Sequence, residues 1–100
     1  MNLDTIYTIP EIKAIVAPIA ESHGVSKMYL FGSYARNEAT AKSDIDFWIE
    51  RGKIRTLFAL GGLYVDLEER LRKSIDLITD DALDEKFHNN IKDEEIVIYG

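Results

Sequence analysis

Apolar residues first fall at Ile12, Ile15, Val16 and Ile19, the i, i+3, i+4, i+7 stripe of a helix with one packed face. Residues 1–8 before it form a short polar-apolar lead. Pro10 suits the first turn of this helix and Gly24 suits its end. Pro18 interrupts the pattern. It removes a helix hydrogen bond, so a kink or split near Ala14–Pro18 is expected. Val25–Phe31 reads as a strand apolar on both faces, which predicts a central place in a sheet. Its run Met28-Tyr29-Leu30-Phe31 stops at Gly32-Ser33. Gly32–Glu38 then predicts a tight turn and a short helix, and Ala39–Ser43 a small polar loop. Asp44–Glu50 is a second strand, closed by the turn Arg51-Gly52-Lys53.

Residues 54–72 predict the longest helix, with a stripe of Ile54, Leu57, Phe58, Leu60 or Gly61, Tyr64, Leu67 and Leu71. Gly61-Gly62 in its middle costs about 1 kcal/mol per glycine relative to alanine. Close packing against the sheet or another helix is the reading preferred for these glycines. Room for a nucleotide or a partner helix is the alternative. Arg70, Arg72 and Lys73 complement the dipole at its C-terminal end. Ser74–Thr79 predicts a third strand. Asp80 or Asp81 is expected to cap a last helix carrying Leu83, Phe87 and Ile91, and Ile96–Tyr99 to form a terminal strand or extended tail.

At 100 residues the chain is expected to be a single domain spanning 1–100, with no internal repeat, low-complexity stretch or linker. Its 46% hydrophobic and 30% charged content is that of a globular protein. There is no cysteine, hence no disulfide framework and no thiolate metal site. No apolar stretch reaches the ~18 residues of a membrane helix, and no signal sequence is evident at the start. A cytoplasmic location, without membrane contact, is expected. Net charge is −6, from 18 acidic against 12 basic residues. That balance opposes stable nucleic-acid binding, which needs a basic footprint, and so opposes a template-copying polymerase. A small nucleotide or a basic protein partner remains compatible.

Candidate chemistry gathers between residues 32 and 46. Asp44 and Asp46 are two apart, so in a strand they point to one face. Two carboxylates ~4 Å apart repel by about 4 kcal/mol at an effective dielectric of 20. A fold keeps such a pair if a cation lies between them, or if they share a proton. Oxygen ligands favour a hard cation, and Mg²⁺ combines one or two carboxylates with substrate phosphates. Gly32 lets backbone approach a ligand closely, and Ser33 adds a hydroxyl donor where a helix begins.

Phe31-Gly32-Ser33-Tyr34-Ala35-Arg36, followed by Ser43-Asp44-Ile45-Asp46 with ten residues between Ser33 and Asp44, resembles the polymerase-beta-type nucleotidyltransferase superfamily. In its length the chain looks most like the minimal nucleotidyltransferase (MNT) proteins, commonly the antitoxin halves of HEPN/MNT toxin–antitoxin pairs. The resemblance covers the whole chain. It implies an α/β (α+β) nucleotidyltransferase fold, a small mixed sheet with helices packed on it. Asn37 departs from the pattern, standing where the family usually has glycine. Asparagine tolerates a left-handed backbone better than most residues.

The resemblance implies roles for single residues. Asp44 and Asp46 become catalytic metal ligands bridging two Mg²⁺ ions. Asp76, a charge inside the apolar run Ile75-Asp76-Leu77-Ile78, becomes the third ligand or the base for the acceptor hydroxyl. Its other reading is a strand-edge residue facing solvent. Gly32, Ser33 and Arg36 become nucleotide-binding. The other reading of Arg36 is a solvated helix residue. Ser43 is read as a turn cap. His23 and His88 lack partners at metal spacing and are not read as catalytic. Trp48, on the face of Asp46, either walls the site or packs under a helix, and packing is preferred. Tyr34, Tyr64 and Tyr99 could offer hydroxyls for self-modification, or be ordinary amphipathic aromatics.

Two functions follow. In the first, the protein is an enzyme moving AMP from Mg-ATP to a hydroxyl, which by resemblance is a tyrosine of a cognate HEPN toxin held in a hetero-oligomer. In the second, it is a non-catalytic antitoxin or binding module that neutralises its partner by masking it. A drug-modifying or RNA-tailing transferase fits poorly, because only ~20 residues follow the third strand and the charge is acidic.

Overall fold

Thr8 starts the first element. Its side chain accepts from the Glu11 N–H at 3.2 Å, while the Glu11 carboxylate accepts from the Thr8 N–H at 2.8 Å. In the computed structural model, which describes residues 5–100, this capping box opens helix α1 (Ile9–His23), with Pro10 in its first turn. Residues 1–4 of the lead lie outside the described residues. Gly24, at φ 78°, ends α1 as expected. Of the kink or split expected at Pro18, the split does not occur: the helix runs through it. Ala14 and Pro18 are both exposed, so the carbonyl left without a donor lies where water reaches it.

The chain continues as β1 (Lys27–Phe31), a single turn of helix α2 (Gly32–Ala35), β2 (Ile45–Glu50), α3 (Leu57–Leu71), β3 (Ile75–Thr79), α4 (Glu85–Ile91) and β4 (Ile96–Tyr99). The strands form one sheet in the order β3-β2-β1-β4. β1 runs antiparallel to both β2 and β4, while β2 and β3 are parallel, joined across α3. This is the mixed sheet the resemblance implies, with β1 and β2 inside it.

Alternation divides the sheet into two faces. Met28, Leu30, Ile45, Phe47 and Ile49 pack against Ile12 and Val16 of α1 and Leu63, Leu67 and Leu71 of α3. Burying each such side chain contributes about 1.5–3 kcal/mol. Tyr29, Phe31 and Trp48 point the other way, under Phe87 and Ile91 of α4. Among the described residues no helix is long and apolar enough to cross a membrane.

Two expectations for α3 fail. Leu57 is 86% exposed and Phe58 92%. The buried seam is instead Leu63, Leu67 and Leu71. Periodicity gives the direction a side chain points around the axis. It does not say whether a neighbour lies there, and at the first turn of α3 none covers these two. The close-packing reading of the glycines is also overturned. A Cβ on Gly61 would meet nothing within 4 Å, and one on Gly62 would meet only His23 Cε1 at 3.7 Å. Asp84, accepting from the Phe87 N–H at 3.1 Å, caps α4. Asp80 and Asp81, the expected caps, instead pair with Arg51 at 2.8 and 3.4 Å.

Candidate active site

β1 ends where the chain must turn sharply, and Gly32 makes that turn at φ +77°. A Cβ at Gly32 would lie 2.1 Å from Asp46 Oδ2, so the Asp46 carboxylate sits directly over the glycine. Phe31 and Asp46 are paired across β1 and β2, which explains the contact. Asp46 and Asp76 are paired across the parallel strands β2 and β3, so their side chains share the α4 face. Asp44 immediately precedes β2 and is exposed.

A cleft of about 450 Å³ opens at this point, and Gly32, Ser33, Arg36, Asp44 and Asp46 line it. Five of the six residues singled out from sequence therefore converge on one wall system. Asp76 stands beside Asp46 and is exposed, but does not wall that cleft.

The acidic group is strained electrostatically. Burial pushes the Asp46 carboxyl up to about 7, helped by its hydrogen bond to Asp76 and by the charges of Asp76 and Asp44, while Arg36 opposes the shift. Asp46, between Asp44 and Asp76, therefore carries the charge that either a bound cation or a shared proton would relieve. Among the described residues no three acidic or histidine side chains gather tightly enough to hold a metal by themselves. Two adjacent carboxylates beside an open cleft do fit a hard divalent ion that takes its remaining ligands from phosphate and water.

Sequence reasoning missed one participant. The Gly32 N–H donates to Glu94 Oε2 at 2.7 Å, and Arg36 Nη1 donates to both Glu94 oxygens at 3.1 and 3.2 Å. Arg36 also reaches Glu38 at 3.0 Å, and these contacts raise the Arg36 pKa above its ordinary value, Glu38 first and Glu94 next. Arg36 is thus engaged at the cleft. The run Asp93-Glu94-Glu95 looks like a solvated acidic turn in sequence, and no periodic signal points it at residue 32.

Trp48, Ser43 and Asn37 fall as the sequence suggests, and the pairs of His23 and His88 are new. Trp48 packs, stacked on Tyr29 with ring centroids 3.9 Å apart. Ser43 Oγ accepts from the Thr40 N–H at 2.8 Å and so caps the loop. Asn37 adopts the left-handed conformation at φ 59°. His23 and His88 pair with Asp66 and Glu95 at 2.6 and 3.0 Å. Tyr34 is 2% exposed, which buries its ring in the core and rules it out as an accessible hydroxyl.

The family described as "Polymerase beta, Nucleotidyltransferase" matches residues 13–100. The chain is 40% identical over 88 residues to a protein of Methanocaldococcus jannaschii named as a candidate protein adenylyltransferase, covering 88% of this chain and 95% of that protein. Among solved structures, one described as a candidate minimal nucleotidyltransferase superposes with a TM-score of 0.78 at 25% identity, over 92% of this chain and 97% of that one. A chain from a complex of a tri-AMPylated Shewanella oneidensis HEPN toxin with its MNT antitoxin shares the fold, with a TM-score of 0.71 at 17% identity over 93% and 73%.

Proposed function

The chain belongs to the polymerase beta nucleotidyltransferase family, and from that premise we propose that it transfers AMP from Mg-ATP to a hydroxyl on a partner protein. The observation that carries this reading is the placement of Asp46. It lies over Gly32, is paired with Asp76 across the sheet, and faces the cleft shared by Ser33 and Arg36.

In this reading the Gly32 N–H, the Ser33 hydroxyl and the Arg36 guanidinium bind the triphosphate. Arg36 suits it, because a planar fork of donors matches phosphate oxygens. Asp44 and Asp46 hold the Mg²⁺. When bound, the ion neutralises the triphosphate and the departing pyrophosphate. Asp76, exposed beside Asp46, orients the acceptor hydroxyl and takes its proton. The acceptor oxygen bonds to the alpha phosphorus as the bond to the bridging oxygen breaks, and pyrophosphate leaves with that electron pair.

The acceptor is a tyrosine of a HEPN-type toxin, and the modification silences it. Two likenesses support this. The M. jannaschii relative carries the name of a candidate protein adenylyltransferase, and the S. oneidensis neighbour is a chain of a complex between a tri-AMPylated HEPN toxin and an MNT antitoxin. The test is incubation of purified protein with Mg²⁺, labelled ATP and a HEPN-type toxin protein as partner. Label on a tyrosine of that partner is expected. Absence of transfer from protein with a native melting curve refutes the reading. The double variant Asp44→Asn/Asp46→Asn separates chemistry from masking: if it still neutralises the partner fully, transfer is not the mechanism.

A further inference from the structure

Glu94 occupies the place that the proposed reaction assigns to phosphate. Its carboxylate takes the Gly32 N–H and both of its oxygens take Arg36, two of the three donors of the nucleotide cradle. Its side chain is only 22% exposed, and it forms part of the cleft wall. A carboxylate held by a backbone N–H and a guanidinium presents the charge and oxygen spacing of a phosphate edge.

The backbone that carries Glu94 is fixed. The N–H groups of Glu94 and Glu95 both donate to the Ile91 carbonyl at 2.9 Å. The next side chain, Glu95, is held by Trp48 Nε1 at 3.1 Å and lies 3.0 Å from His88 Nε2. The turn is therefore anchored on the sheet through Trp48 and on α4 through His88, and Glu94 can leave the cradle by rotating its own side chain. That rotation needs no movement of the turn, so the exchange acts on affinity for the ligand.

We propose that Glu94 is a built-in competitor for the triphosphate site, a residue that sets nucleotide affinity by occupying the Gly32–Arg36 cradle until a polyphosphate displaces it. This rests on the nucleotide reading of the cleft given above. A ligand must outbid two charge-assisted contacts, which a nucleoside triphosphate carrying its cation can do and a singly charged anion cannot. The Glu94-filled cradle thereby favours a polyphosphate over a nucleoside that lacks one.

Glu94→Gln tests this, with Glu38→Gln as the comparison. Both remove one negative charge next to Arg36, but Glu38 does not touch the Gly32 N–H. Calorimetric titration with Mg²⁺ and a non-hydrolysable ATP analogue is expected to show Glu94→Gln binding about tenfold more tightly than the native chain, about 1.4 kcal/mol. Glu38→Gln should change affinity less than threefold. The amide resonance of Gly32 gives a second readout: in the native chain, saturating analogue and the Glu94→Gln substitution should each move it. If the analogue binds the native chain and Glu94→Gln binds no more tightly than Glu38→Gln, the competitor is overturned while the nucleotide site stands. If the analogue binds none of the three folded proteins, both fall together.

Discussion

Replacing Asp46 with asparagine removes the charge that the folded chain holds least comfortably. In the fold this carboxyl titrates at about 7, raised first by burial and then by Asp76 and Asp44. In the unfolded chain it titrates near 3.9. The folded state therefore binds the proton more tightly. The stability from this group is complete below about pH 4 and is lost as pH rises to about 7. Three pKa units correspond to ~4 kcal/mol at face value. Solvent reaches this half-buried group and screens it, which brings the figure to about 2 kcal/mol. In a domain of this size 1 kcal/mol moves the melting point by about 4–8 °C, so an effect near 10 °C is expected.

The assay is thermal melting by circular dichroism between pH 4 and 8 without divalent ions, for the native chain and Asp46→Asn. Other titrating groups are common to both, so the difference isolates this carboxyl, with Asp76 coupled to it. The native chain should lose about 10 °C more than the variant between pH 4 and 8 and melt lower at pH 8. Added Mg²⁺ should recover part of that loss in the native chain only. Parallel pH curves for the two proteins would refute the account of Asp46 as an acid held protonated by its neighbours.

The remaining predictions concern the same cleft and the helix behind it. Gly32→Ala combines a positive φ with a Cβ placed 2.1 Å from Asp46 Oδ2. Such strain costs about 1–3 kcal/mol, seen as a lower urea midpoint, and ATP binding should be lost with it. Mg-ATP at a hundredfold excess over its Kd should add about 2.7 kcal/mol of stability. A melting curve indifferent to both ligands counts against the site. Gly61→Ala enters open space on an exposed helix and should raise stability by about 1 kcal/mol with ATP binding unchanged. A lower urea midpoint would show that Gly61 is packed after all.

What could be read from sequence was local and periodic. Residues two apart share a face of an extended chain, which is why the sequence puts Asp44 beside Asp46, although Asp44 itself lies just before β2. Gly32-Ser33 announced its turn because few other residues can make it. The Thr8–Glu11 capping box was equally legible, a Thr-x-x-Glu signature before an apolar stripe, and was overlooked. Asp80, Asp81 and Asp84 all suit a cap by residue type, so the sequence does not separate Asp84, which caps α4, from the two that pair with Arg51. Glu94 had no such mark. Its role depends on α4 and β4 bringing residue 94 back to residue 32, and chain separation of that length leaves no trace in spacing. Leu57 and Phe58 failed for the complementary reason: a stripe records which way residues point, and exposure depends on what stands opposite.

The order β3-β2-β1-β4 leaves Asp76 on an outermost strand, open to solvent, while Asp46 lies one strand inward. If the proposed reaction runs there, its centre lies on a sheet margin where, among the described residues, Asp76 stands uncovered. It can admit something as large as a folded protein, and that visitor must shut out the water that would otherwise intercept the transfer. Under the proposed function, docking would complete catalysis in such an arrangement, and the surface of the acceptor would count as part of the enzyme.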